Sequence, residues 1–242
     1  DGGVFLSLDG GINISSRNSG YNVTQFYSCA IHPDPGNNYF LAGAQDNGTQ
    51  QFTNTQDIVS TYEVTGGDGA FCHISNSNPM IQLTSYVYNN IYYSSNGGNG
   101  FQRITWDNSG RFINPSDFDS QANILYSAKD ENSIKRTNVN NGSITESSFT
   151  IGLGSKASAI KASPFQENTV FVGTGAGRLF KISSSDQTNP TINELTGSSF
   201  PYGYISCVEF GESQNTIIVT FSNYGVPSVW ETYDEGSNWY NR

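Results

Sequence analysis

The sequence predicts an all-β fold, a β-propeller of four-stranded antiparallel blades, on three observations. Short β-branched or aromatic runs recur at 39–43, 81–85, 124–127, 170–174 and 217–221, each with Asn or Pro one or two residues before it. Their starts are 42, 43, 46 and 47 residues apart, within the roughly 40–50 residue period of propeller blades. Between them lie Gly, Asn, Ser and Pro, and no segment sustains a helical apolar period, so helical solenoids of similar period are excluded. Composition agrees: Gly numbers 26 of 242 residues and aromatics reach 13%, the mixture of a turn-rich β protein. With only 13% of residues charged, the chain is not a solvated disordered one.

Each element follows from the period. Residues 1–20 hold two short runs, 4–8 and 12–15, which read as the third and fourth strands of a blade lacking its first two. Five full repeats follow, at 21–65, 66–107, 108–153, 154–197 and 198–242, each with strands A to D from the axis outward. The A strands are expected at 26–31, 71–74, near 112–118, at 159–162 and at 204–210, and the recurrent runs are the B strands. In the fourth repeat B, C and D fall at 170–173, 178–182 and 192–195; Gly173-Thr174-Gly175-Ala176-Gly177-Arg178 is its B-to-C turn, since no helix follows to make it a phosphate loop. The count is about five and a half blades. A half blade leaves sheet edges that proteins normally pair or cover, so the chain is expected to be a fragment of a larger protein whose ring has seven blades, six being the competing count.

Charge narrows function. Eleven basic against 21 acidic residues give a net charge of −10, which disfavours nucleic acid and anionic lipid as partners. No stretch approaches the roughly 20 apolar residues of a spanning helix. Three cysteines and no CxxC make neither a disulfide framework nor a zinc site. Cys29, Cys72 and Cys207 fall in A strands, with Ile160 in a matching place, and read as free thiols near the ring centre. His32 and His73 read as surface turn residues. No metal or cofactor is assigned.

One motif recurs in register. Ser7-Leu8-Asp9-Gly10-Gly11 and Thr232-Tyr233-Asp234-Glu235-Gly236-Ser237-Asn238-Trp239 fit Ser/Thr-x-Asp-x-Gly, the second with its Trp, and Ser94-Ser95-Asn96-Gly97-Gly98 is a degraded copy. The carboxylate can accept turn N–H groups, the glycine supplies positive φ, and Trp239 covers the hairpin. All three lie between strands C and D. The sequence thereby resembles the Asp-box (BNR-repeat) propellers, which include sialidases, xyloglucanases and the sortilin receptor domain. Phrases such as Phe26-Tyr27-Ser28-Cys29-Ala30-Ile31-His32-Pro33-Asp34-Pro35, Gly43-Ala44-Gln45-Asp46-Asn47-Gly48-Thr49 and Gly66-Gly67-Asp68-Gly69 look most like secreted propellers of bacteria with type IX secretion. The resemblance implies a secreted or cell-surface location and structural roles for Ser7, Asp9, Gly11, Ser94, Gly98, Asp234, Gly236 and Trp239.

Candidate ligand residues follow from topology. In an up-and-down blade the D-to-A and B-to-C connections share one face, which collects Tyr21, Asn22, Gln25, Asp46, Asp68, Tyr86, Tyr88, Asn89, Tyr202, Tyr204, Asn223 and Tyr224. Tyr and Asn suit stacking and hydrogen bonding to sugars or peptides. A sialidase is disfavoured, because only six arginines exist and no Phe-Arg-Ile-Pro motif accompanies them. A xyloglucanase-like hydrolase would need paired carboxylates, for which Asp46 and Asp68 are the candidates and Asp117 and Asp130 weaker ones in the third repeat. The expected function is a non-catalytic binding or scaffolding module for glycan or protein partners. A glycoside hydrolase ranks second and a peptide-binding receptor propeller third.

Overall fold

The computed structural model describes residues 3–20, 24–53, 61–140 and 143–242. Among these there is no α-helix; five sheets of four antiparallel strands follow a small hairpin. The hairpin pairs β1 (Phe5–Leu6) with β2 (Ser15–Ser16). Blade 1 is β3 (Phe26–Ile31), β4 (Phe40–Ala44), β5 (Thr49–Phe52) and β6 (Tyr62–Thr65); blade 2 is β7 (Cys72–Ile74), β8 (Gln82–Ser85), β9 (Ile91–Ser94) and β10 (Gln102–Thr105). Blade 3 is β11 (Ser116–Asp119), β12 (Ile124–Ala128), β13 (Ser133–Asn138) and β14 (Thr145–Thr150), and blade 4 is β15 (Ala157–Ala162), β16 (Thr169–Thr174), β17 (Leu179–Ser183) and β18 (Thr191–Glu194). Blade 5 is β19 (Ile205–Phe210), β20 (Ile217–Phe221), β21 (Val229–Thr232) and β22 (Tyr240–Asn241). Strand order in every sheet is the chain order, so within each blade successive strands are antiparallel neighbours.

The five-blade propeller therefore stands as expected, with small shifts. The third A strand begins at Ser116, later than the 112–118 reading, because Arg111 to Pro115 form a loop locked by side chains. Asn114 Oδ1 accepts the Arg111 N–H at 2.8 Å, and Asn114 Nδ2 donates to the Ala128 carbonyl at 2.9 Å. Register shifts at Phe26/Ser28, Ala157/Ala159 and Ile205/Cys207 put a bulge at the start of three A strands, where an extra residue sharpens the twist.

The core lies between blades. Leu41 packs with Cys72 and Ile74; Leu83 and Ile91 with Phe118 and Leu125. Tyr126, Ile134 and Phe149 meet Ile160, Val172 and Phe180, and Phe171 and Leu179 meet Ile205, Val219 and Trp230. Four apolar interfaces thus join five successive blades. Polar atoms stitch the same seams: the buried Tyr126 hydroxyl shares a 2.6 Å hydrogen bond with Ser185 Oγ across blades 3 and 4.

The three C-to-D turns that carry the motif share one hydrogen-bond pattern. Ser7, Ser94 and Thr232 hydroxyls donate to Asp9, Asn96 and Asp234 at 2.8–2.9 Å and accept the N–H of Gly11, Gly98 and Gly236 at 2.8–3.0 Å. Asp9 and Asp234 also accept the backbone and side-chain N–H groups of Asn13 and Asn238, which hold both carboxyls below the usual range. Gly98 and Gly236 have φ of +83° and +88°, a region that disfavours any side chain. Trp239 Nε1 donates to Leu195 O at 3.0 Å and its ring meets Phe200 at 4.9 Å, so the last turn clamps blade 5 to blade 4.

Replacing Tyr126 by Phe should cost about 1 kcal/mol, and by Ala about 4 kcal/mol, read from urea unfolding. Equal effects of the two would show that the seam does not use the hydroxyl.

Candidate functional site

Strands A surround one axis. A single cavity of about 220 Å³ is lined by Ser28 and Cys29 of β3, Cys72 and His73 of β7, Ser116 and Asp117 of β11, Ser158 to Lys161 of β15 and Ser206 to Glu209 of β19. A second, of about 280 Å³, opens among the A-to-B turns and is lined by Asn76, Asp117, Asp119, Gln121, Lys161 and Ser163, among others. Asp117 and Lys161 line both.

These side chains form one network. Lys161 Nζ lies 2.9 Å from Glu209 Oε2 and 4.0 Å from Asp117 Oδ2. Asp117 Oδ2 accepts the Ala162 N–H at 2.9 Å. His73 sets Nδ1 3.6 Å from Asp117 Oδ1 and Nε2 3.0 Å from Ser116 Oγ. Four blades thus meet through titratable groups. Burial raises the Asp117 carboxyl to about 6, against the pull of Lys161. Burial, and then Lys161, lower His73 to about 3, so its imidazole is neutral. His73 is accordingly a strand residue inside the ring, not a surface turn residue, and Asp117 lies within β11 instead of a connection. Sequence reading missed this network because it placed the third A strand too early. The alternation Ser116-Asp117-Phe118-Asp119, with Phe118 packed between blades, is the signal that was present.

The D-to-A and B-to-C connections do share a face. The Asp46 N–H donates to Asp68 Oδ1 at 3.0 Å, and Gly48 and Asp68 form a parallel bridge. Asp68 thereby caps a turn in which Asp46 has φ +58°. Both carboxylates face the Tyr27 phenol, which burial and then their charges push upward. Asp130 caps its own turn, accepting from Asn132 N–H and Ser133 Oγ. Tyr86 lies over Gly67 and Tyr88 meets Phe112 edge-on at 5.8 Å; both are half-buried. Asn89 is buried, donating to Ser109 and Ala128 and accepting from Asn114 and Ser127. It is a structural hub with no donor or acceptor left for a ligand. Asn223 likewise accepts the Tyr204 N–H. Gln25 is exposed, its carbonyl accepting the Gln45 N–H. Tyr21 and Asn22 lie outside the described residues.

What remains open on this face is aromatic. Tyr202 is 87% exposed and Tyr224 fully so. Trp106, 67% exposed, carries the Arg103 guanidinium 3.7 Å from its ring centroid, and Phe112 is exposed beside Tyr88. Trp106 and Phe112, which sequence reading missed, belong to the D-to-A connection of blades 2 and 3. On the opposite face a cavity of about 340 Å³ between blades 1 and 2 is lined by His32, Tyr39, Met80, Gln82 and Asn96. The thiols of Cys29, Cys72 and Cys207 are all free. Cys29 and Cys72 stand opposite Ala42 and Thr84 while Ile160 stands opposite Val172; Cys207 faces Thr220, one step from Val208. Burial raises the Cys72 thiol to about 11.

No protein-family model matches the sequence, and no curated protein matches it. Solved structures do. A structure of YCF48 bound to a D1 peptide superposes with a TM-score of 0.64 at 9% identity, over 90% of this chain and 66% of that one. Raptor of Chaetomium thermophilum superposes with a TM-score of 0.65 at 12% identity, over 91% of this chain and 21% of that one. The chain thus spans just under two thirds of the first neighbour and about a fifth of the second. At these identities the likeness is one of fold.

The channel pair sets opposing pH dependences. Asp117 ionises near 3.8 when unfolded and about 6 when folded, so its contribution to stability is present below 3.8 and lost as pH rises through 6. His73 shifts from 6.5 down to about 3, so its contribution is present above 6.5 and lost as pH falls toward 3. Relative to the wild type between about pH 4 and 6.5, Asp117→Asn should therefore gain stability as pH rises and His73→Gln should lose it. Parallel urea-unfolding profiles for all three proteins would contradict this assignment.

Proposed function

We propose that this chain is a non-catalytic binding propeller of a secreted or cell-surface protein, contacting protein or glycan partners through its D-to-A and B-to-C face. The observation that carries the reading is the distribution of surface chemistry. The three most exposed aromatic rings among the described residues, Tyr224, Tyr202 and Trp106, lie on that face together with Phe112, while Phe165 and Tyr233 are exposed on the opposite one; they offer stacking area at low entropy cost. The carboxylates named for catalysis are occupied as turn caps, Asp68 by the Asp46 N–H and Asp130 by Asn132 and Ser133. Protein partners are favoured over glycans because the YCF48 propeller, similar in fold, is described with a bound peptide. The shared hydrogen bonding of the turns at Asp9, Asn96 and Asp234 supports assignment to the Asp-box propellers. A bacterial type IX secretion substrate remains part of the proposal on the sequence phrases alone.

A hydrolase is the second reading, and Asp117 favours it: a carboxyl raised to about 6 shares the channel with Glu209, as an acid and base pair would. Lys161 between them instead makes an ion-pair network.

Phage-displayed peptides selected on the immobilised protein should be enriched, and the combined Trp106→Ala, Tyr202→Ala, Tyr224→Ala variant should weaken their binding at least tenfold. Glycan-array binding in place of peptide enrichment would move the partner class to sugars. Turnover of chromogenic xyloglucan oligosaccharides that is lost in Asp117→Asn would overturn the non-catalytic reading.

A further inference from the structure

The connections that lead into the A strands of blades 3 to 5 bring together two cations and a tyrosine: Arg111 in the loop before β11, Lys156 just before β15 and Tyr204 just before β19. Arg111 reaches from the blade 3 approach to blade 4, where Nε donates to the Ala157 carbonyl at 2.7 Å and Nη2 to the Lys156 carbonyl at 2.9 Å. Its guanidinium carbon lies 5.1 Å from the Tyr204 ring centroid, ahead of β19. Lys156, the residue before β15, donates from Nζ to the Gly110 carbonyl at 2.9 Å. Among the described residues neither cation has a carboxylate within ion-pair distance, although the chain carries a net charge of −10. Acids on this face have other partners: Asp68 accepts the Asp46 N–H, Asp107 pairs with Lys135, Asp130 caps its own turn through Asn132 and Ser133, and Glu194 is bound by Arg178.

The geometry leaves part of the fork for a ligand. Arg111 has five N–H donors, and the carbonyls of Ala157 and Lys156 take two. Those two bonds and the Tyr204 ring hold the guanidinium plane in place, so a ligand would meet it already ordered. Gly175, in the B-to-C turn of blade 4, forms one wall: a Cβ there would stand 3.1 Å from Arg111 Nη2, 3.2 Å from Ser155 Oγ and 3.6 Å from the Tyr204 ring. A missing side chain thus keeps space open beside the guanidinium, a hydroxyl and an aromatic edge. Exposed Tyr202 and Tyr224 lie on the same face.

We infer that Arg111, Lys156 and Tyr204 form a recognition site for a carboxylate of an acidic peptide laid across this face. The guanidinium supplies paired donors for the carboxylate, Lys156 a second positive charge, and the tyrosines apolar contact for the adjoining chain. Net negative charge over the rest of the protein repels the same peptide elsewhere, so the site selects position as well as sign. The inference rests on the peptide-binding reading above and names its chemistry.

The test is fluorescence anisotropy with four labelled peptides: tetraglutamate with a free C-terminus, its C-terminal amide, tetraglutamine with a free C-terminus, and tetraglutamine amide. Tetraglutamate should bind and should weaken as salt is raised. Arg111→Gln and Lys156→Gln should each weaken it about tenfold, and Gly175→Ala, which removes no charge, should weaken it as well. Retained binding by the tetraglutamate amide assigns the contact to side-chain carboxylates, and retained binding by free tetraglutamine assigns it to the terminal one. Because Arg111 also ties blade 3 to blade 4, thermal melts accompany each variant, and Lys156→Gln decides the matter if Arg111→Gln fails to fold. Equal binding of tetraglutamine amide, indifference to Lys156→Gln, or no binding of any peptide overturns the site. Phage-selected peptides that need Trp106, Tyr202 and Tyr224 but ignore Arg111→Gln and Lys156→Gln would remove this site while leaving the peptide-binding reading intact.

Discussion

A four-stranded sheet has two faces and only its neighbours to bury them against, and that constraint organises this molecule. Each blade interposes a row of aliphatic and aromatic side chains between itself and the next, Leu41 against Ile74, Leu125 against Leu83, Phe180 against Tyr126, Val219 against Phe171. Because both faces of an inner blade must be apolar, its B strand is buried along its whole length, as all of Ile124–Ala128 and Thr169–Thr174 are, whereas β20 of blade 5 buries Ile217, Val219 and Phe221 and exposes Ile218. Polar chemistry is thereby expelled to two places, the strand ends and the axis.

Packing sheets face to face also forces the A strands together, and there the constraint inverts. Ser28, Ser116, Ser158 and Ser206 line the axis, together with the larger His73, Asp117, Lys161 and Glu209. Charged groups can enter only if they satisfy one another, because an isolated buried charge is costly. Asp117, Lys161, Glu209 and His73 meet that condition by contacts across four blades. On the D-to-A and B-to-C face the same geometry delivers Arg111, Lys156 and Tyr204 side by side from connections far apart in sequence.

The architecture was legible because its signals are local and repeated: the spacing of the B strands, and the Ser/Thr-x-Asp-x-Gly turn. Asp46 and Asp68 were brought to one face by topology alone, and they do touch. The polar residues were read less well. Asn89 carries the amide chemistry of a ligand site, yet Ser109, Asn114, Ser127 and Ala128 consume it, and the Asn223 amide oxygen is taken by the Tyr204 N–H, which no single-chain pattern records. Tyr86 and Tyr88 pack against Gly67 and Phe112, whereas Tyr202 and Tyr224 stand in solvent; the four are alike in sequence and are separated only by what the neighbouring blade presents. Arg111 belongs to no sequence motif, because its partners are main-chain carbonyls 45 and 46 residues away.

Asp117 and Lys161 line both the cavity among the A strands and the one among the A-to-B turns. A change of charge at either residue is therefore felt in two spaces at once, and the two cannot be altered independently through this pair.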